Sequence, residues 1–163
     1  MLQLQAILLS FAFWLAQVNA HFLLNYPTTV GFDDDLEATA PCGGFDVSFA
    51  NVTNFYVGGD SIALTSTHPA STWLFRATLD TKGEGNWSVL LPAIAQQTQG
   101  PFCEKSVMVP ASFAGQQGVI QVIEDAVDGQ LFQVCITLSY RMWSSVEVVI
   151  PKLIKYSAEQ STS

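Results

Sequence analysis

Histidine and basic residues are scarce in this chain. Of 163 residues, two are histidine, His21 and His68, and six are lysine or arginine against fourteen aspartate or glutamate, a formal charge of −8. So acidic a domain is a poor partner for nucleic acid or for an anionic membrane surface. No G-x-S-x-G or C-x-x-C motif occurs, so neither a nucleophile elbow nor a paired-cysteine metal site can be argued. No segment beyond the first twenty residues has a sustained 3.6-residue apolar period or the roughly 20 apolar residues of a membrane helix. The run Val146 to Ile150 is short and stops at Pro151-Lys152, and the last residues, 151–163, end in a polar tail without the hydrophobic terminus of a lipid-anchor signal.

The first twenty residues read differently. Ala6 to Val18 is an apolar run broken only by Ser10 and Gln17, and Val18-Asn19-Ala20 is a small-residue cleavage pattern. Residues 1–20 are therefore expected to be a secretory signal, with a single domain over residues 21–150. The expected product is soluble and secreted, with no membrane span in the mature chain and no feature that demands more than a monomer. Asn51-Val52-Thr53 and Asn86-Trp87-Ser88 are N-glycosylation acceptors suited to that route. Cys42, Cys103 and Cys135 all follow the cut, where disulfides persist; three pairings are open and one thiol is left over.

Cleavage after Ala20 would give His21 a free α-amine, with a pKa of about 8, beside its imidazole. The amine and ring Nδ1 can chelate one metal ion, which an internal histidine cannot do. If His68 meets His21 in space, three nitrogens surround the metal, a donor set that suits Cu(II). Pro69 keeps His68 out of helical geometry, in a loop.

Short alternating segments separated by turns run along the rest of the chain. Strands are expected over His21 to Tyr26, Asn54 to Val57, Ser61 to Ser66, Thr72 to Leu79 and Trp87 to Leu91. Further strands are expected over Phe102 to Val109, Val119 to Glu124, Leu131 to Tyr140 (the longest) and Val146 to Ile150. Thr28 to Ala40 is a loop whose Asp33-Asp34-Asp35 and Glu37 read as a solvated acidic run that follows the N-terminus closely. Pro92 to Pro101 is a loop with room for a short helix over Ala93 to Gln97. The pattern predicts an all-β, antiparallel, immunoglobulin-like or fibronectin-like β-sandwich.

The order of several short pieces carries a resemblance: His21-Phe22 after a signal, Tyr26-Pro27, Pro41-Cys42-Gly43-Gly44-Phe45, Ser61-Ile62-Ala63-Leu64, Ser66-Thr67-His68-Pro69, Phe102-Cys103, Gln121-Val122 and Asp128-Gly129-Gln130-Leu131-Phe132-Gln133. Across nearly all of residues 21–150 the chain resembles the fungal copper acquisition factors, which look like lytic polysaccharide monooxygenases but are thought to bind copper without oxidising polysaccharide. The resemblance implies copper as the metal, His21 and His68 as its ligands in a histidine brace, and a Cys42–Cys135 bridge that leaves Cys103 as a buried, inert thiol. A membrane copper transporter is a further implied partner. The family follows its last strand glutamine with Cys-Ala-Asp and uses that aspartate as a third ligand. Here Gln133-Val134-Cys135-Ile136-Thr137 puts Thr137 or Ile136 in its place. A replacement would have to come from Asp125, Asp128 or the Asp33–Asp35 loop, and weaker or altered copper binding is expected.

Two other functions are compatible with these residues. An oxidative copper enzyme would use the same brace with an exposed aromatic surface, yet Trp73, Trp87, Trp143, Tyr56 and Tyr140 fall in strand patterns that favour the core, and no strand tyrosine stands ready to ligate. A structural cell-surface glycoprotein would make His21 incidental.

Overall fold

A computed structural model describes residues 21–127 and 129–142. The expected signal, Asp128, Trp143, the strand over Val146 to Ile150 and the polar tail lie outside the described residues.

Nine strands form two sheets, and the described residues contain no α-helix. The strands are β1 (Phe22–Tyr26), β2 (Thr53–Tyr56), β3 (Asp60–Ser66), β4 (Ser71–Thr78), β5 (Ser88–Val89), β6 (Ile94–Gln96), β7 (Gly100–Val107), β8 (Gln117–Ala126) and β9 (Leu131–Arg141). A three-stranded sheet runs β1-β3-β7, and a six-stranded sheet runs β2-β9-β8-β4-β5, with β6 also on β4. All pairings are antiparallel except β2 with β9, which is parallel. The all-β sandwich read from the sequence is the observed architecture.

Alternation explains which side chains fill it. Ile62 and Leu64 of β3 face Trp73, Phe75 and Ala77 of β4, Ile120 and Val122 of β8, and Phe132, Val134, Ile136, Leu138 and Tyr140 of β9 in one continuous core. The segment expected as a short helix over Ala93 to Gln97 is instead β6. Its Gln96 is buried because its Oε1 accepts a 2.9 Å hydrogen bond from the Trp73 indole. Cys103, expected to be buried, is exposed on β7. The three-stranded sheet packs one face on the core and leaves the other to solvent, and Cys103 falls in the solvent phase.

The long connection between β1 and β2 lies over the outer face of β8 and β9. Val30 donates to the Cys135 carbonyl and Gln133 to the Glu37 carbonyl, each at 2.9 Å. Cys42 and Cys135 are bonded through a disulfide, and with Val119 they form a second small core flanked by Val30, Val47, Phe49 and Trp87. Gly43 permits this close approach: its φ is +64°, and a Cβ there would stand 2.8 Å from the Gln133 carbonyl oxygen. The bridge spans a sequence separation of 93 residues. Replacing both cysteines by alanine is expected to cost about 2–5 kcal/mol of stability. Chemical denaturation at fixed pH measures it, and a loss below about 0.5 kcal/mol would show that the connection is held by its hydrogen bonds alone.

A two-histidine site at one end of the sandwich

The register of β1 on β3 builds the site. Phe22 stands opposite Ser66. One residue further out, the His21 main chain is clamped to Thr67: Thr67 N donates to the His21 carbonyl at 2.9 Å, and the Thr67 hydroxyl both accepts from His21 N and donates to His21 O at 2.8 Å. His68 follows at the same end. The His21 ring packs edge-on against Phe132 with centroids 4.9 Å apart, and the His68 ring lies 5.1 Å from the same Phe132. Two residues 47 positions apart in sequence thus flank one phenyl ring.

Burial differs between the two histidines. His21 is half-buried, whereas His68 is 2 % exposed and Phe132 4 %. A loop histidine held out of water needs polar company. It has it in Glu124, whose Oε2 lies 3.1 Å from His68 Nδ1. Glu124 occupies the core-facing phase of β8, opposite Phe132 and Trp73, and is fully buried. Its Oε1 accepts from the hydroxyls of both Ser66 and Ser71. The Ser66 hydroxyl oxygen also accepts from His68 N at 3.0 Å.

A second buried carboxyl lies close by. Glu37, 1 % exposed, accepts from Phe22 N through Oε2 at 3.4 Å, and its Oε1 meets no hydrogen-bonding partner among the described residues. Burial pushes its pKa up to about 8; the Phe22 amide opposes the shift, and the charges of Glu124 and Asp34 add to it.

Ile136 and Thr137 hold the place of the family aspartate without its carboxylate. Ile136 is in the main core. Thr137 is on the other face of β9 from Phe132, where its hydroxyl donates to the Asn51 carbonyl at 3.0 Å. Of the carboxylates expected to replace that aspartate, Asp33, Asp34, Asp35 and Asp125 are exposed, and Asp128 lies outside the described residues. The acidic groups that the fold brings to this end are Glu37 and Glu124. Glu37 had been grouped with a solvated run. Glu124 was visible only as an acid closing an otherwise apolar strand, Val119-Ile120-Gln121-Val122-Ile123-Glu124.

Among the described residues, no three His, Cys, Asp or Glu side chains are gathered so as to hold a metal ion. Both sequon asparagines, Asn51 and Asn86, are exposed, and no described helix is long and apolar enough to cross a membrane.

The fold is an all-β sandwich, and His21 and His68 both pack on Phe132 at one end of it. Residues 19–149 match the BIM1-like copper acquisition factor family, and the chain belongs to that family. Membership makes copper the metal at issue. The chain is also 32 % identical over 135 residues to the lytic polysaccharide monooxygenase-like protein X325 of Yarrowia lipolytica (strain CLIB 122 / E 150). That match covers 76 % of this chain and 51 % of the relative, so the chain spans about half the length of the curated protein it matches.

The high pKa of Glu37 makes a prediction about stability. The folded state holds a proton on Glu37 up to about pH 8, whereas the unfolded chain releases it near 4.5. The folded state therefore binds more protons across that window, and this group's contribution to stability falls as pH rises from about 4.5 to 8 and is flat above it. Glu37→Gln is expected to flatten that decline and, at pH 8, to gain on the order of 1–3 kcal/mol relative to the unmodified chain. Thermal melts of both chains across the window test it; parallel pH profiles would contradict it.

Proposed function

We propose that this protein is a secreted, non-catalytic copper-binding protein that takes up, buffers or delivers Cu(II) outside the cell. His21 contributes its freed α-amine and Nδ1, and His68 contributes Nε2. The observation that carries this reading is the β1–β3 register, which places both rings against Phe132 while Thr67 holds the His21 backbone. Three nitrogens held by a sheet edge need little reorganisation around a cation that favours tetragonal nitrogen ligation. All three nitrogens bind the metal unprotonated, so binding weakens as pH falls. A membrane transporter is the natural recipient of copper held this way, and the chain acts as a monomer.

Two features support binding over oxidation. Phe132 has no hydroxyl to offer the metal. His68 and Phe132 are buried, so a flat polymer surface would meet the half-buried His21 side and not an open copper face. The relative's printed description as monooxygenase-like supports keeping oxidation as the competing outcome.

The test is Cu(II) titration of chain beginning at His21, with spin-resonance spectra of the complex. Nitrogen-ligated Cu(II) is expected, with affinity falling at least about 100-fold in His21→Ala, in His68→Ala, and in chain carrying any residue ahead of His21. Equal affinity in all four would contradict the assignment. Oxidised sugar products formed with copper and a reductant would convert the protein to an enzyme.

A further inference from the structure

The β3–β4 connection is wound around one carboxylate. Ser66 ends β3, Ser71 begins β4, and His68 lies between them; all three side chains are within polar contact of Glu124. Phe22, Trp73 and Phe132 are buried in the same end of the interior. An apolar residue at position 124 would continue the inward series of Ile120 and Val122 and spare the desolvation of a charge. A buried carboxylate with one oxygen fixed by two hydroxyls is a directed acceptor, and its other oxygen is directed at His68 Nδ1.

From this we infer that Glu124 is the positioning residue of the copper site: it holds the His68 imidazole in the Nδ1–H tautomer and so commits Nε2 to the metal. The inference rests on the copper-binding reading for its consequence, but the tautomer is a property of the protein alone. An imidazole has two nitrogens, and the proton on one decides which lone pair the metal meets; a carboxylate behind the ligating ring makes that choice and raises the basicity of the other nitrogen. At 3.1 Å the two atoms are at hydrogen-bonding distance, although the N–H is not aligned on the oxygen to full hydrogen-bond geometry. Ser66 serves twice, orienting Glu124 through its hydroxyl proton and fixing the His68 backbone through its oxygen. The fold thereby ties the direction of the ring to the path of the chain that carries it.

Two measurements test the assignment. Long-range proton–nitrogen NMR on metal-free protein reads the His68 tautomer directly at a pH where the ring is neutral. The Nδ1–H form is expected in the unmodified chain, and the Nε2–H form there would overturn the inference whatever the protein does with copper. The second is Cu(II) affinity and the spin-resonance spectrum in Glu124→Gln, which keeps the shape and removes the charge, and in Ser71→Ala, which keeps the carboxylate and removes one of its anchors. Affinity is expected to fall roughly 10- to 100-fold in Glu124→Gln and by less in Ser71→Ala, with altered nitrogen hyperfine couplings in both. Should Glu124→Gln fail to fold, Ser71→Ala carries the test. Folded variants with unchanged affinity and spectra would show that Glu124 serves packing alone. Failure of the unmodified chain to bind copper would remove the proposed function and leave the tautomer result standing.

Discussion

The antiparallel pairing of β1 with β3 is the constraint on which the rest depends. It is a ladder of ordinary backbone hydrogen bonds, individually modest, yet it sets register, and a slip of one residue in a strand reverses every side chain's face. With Phe22 opposite Ser66, Phe22 and Ser66 both point inward, and His21 is clamped by Thr67 at the sheet end. His68 then follows in the next residue. A shifted register would send Phe22 to solvent and pull Ser66 from Glu124. The site is a consequence of strand pairing more than of any loop design.

Around that ladder the molecule places supports of different kinds. The disulfide and the carbonyl of Glu37 fasten the long β1–β2 connection to β9. The connection in turn delivers the Glu37 side chain to the amide of Phe22. Phe132 packs against both imidazoles, while Glu124 meets His68 from another side. Two buried carboxyls lie at this end of the core: Glu124 beside His68, and Glu37 at the Phe22 amide, the latter holding its proton up to about pH 8.

Much of the fold was legible in the sequence because it rests on local periodicity. β3, β4, β8 and β9 alternate or run apolar between turn residues, and their observed limits lie close to those read from the chain. β6 was not legible: a three-residue strand has no period, and Gln96 is buried for the sake of Trp73, a partner 23 positions away. Cys103 misled because cysteine is commonly buried, whereas this one lies on the uncovered face of the smaller sheet. Both histidines were singled out by their flanks, His21 behind the cleavage pattern and His68 before Pro69. The carboxylates were not. Glu124 looks like the end of a strand and Glu37 like part of an acidic loop, and only the packing shows that both are inside. Ile136 and Thr137, which stand where the family has its aspartate, offer no carboxylate: Ile136 is packed into the core, and Thr137 is on the opposite face of β9 from Phe132.

The central claim is that a backbone nitrogen and two imidazoles bind one copper ion at the Phe132 end of this sandwich. A crystal structure of copper-loaded protein beginning at His21 tests it most directly. The account predicts copper bonded to the α-nitrogen and Nδ1 of His21 and to Nε2 of His68, beside the Phe132 ring. Copper held on the exposed aspartates 33–35, or bound with His68 outside its coordination shell, would contradict it.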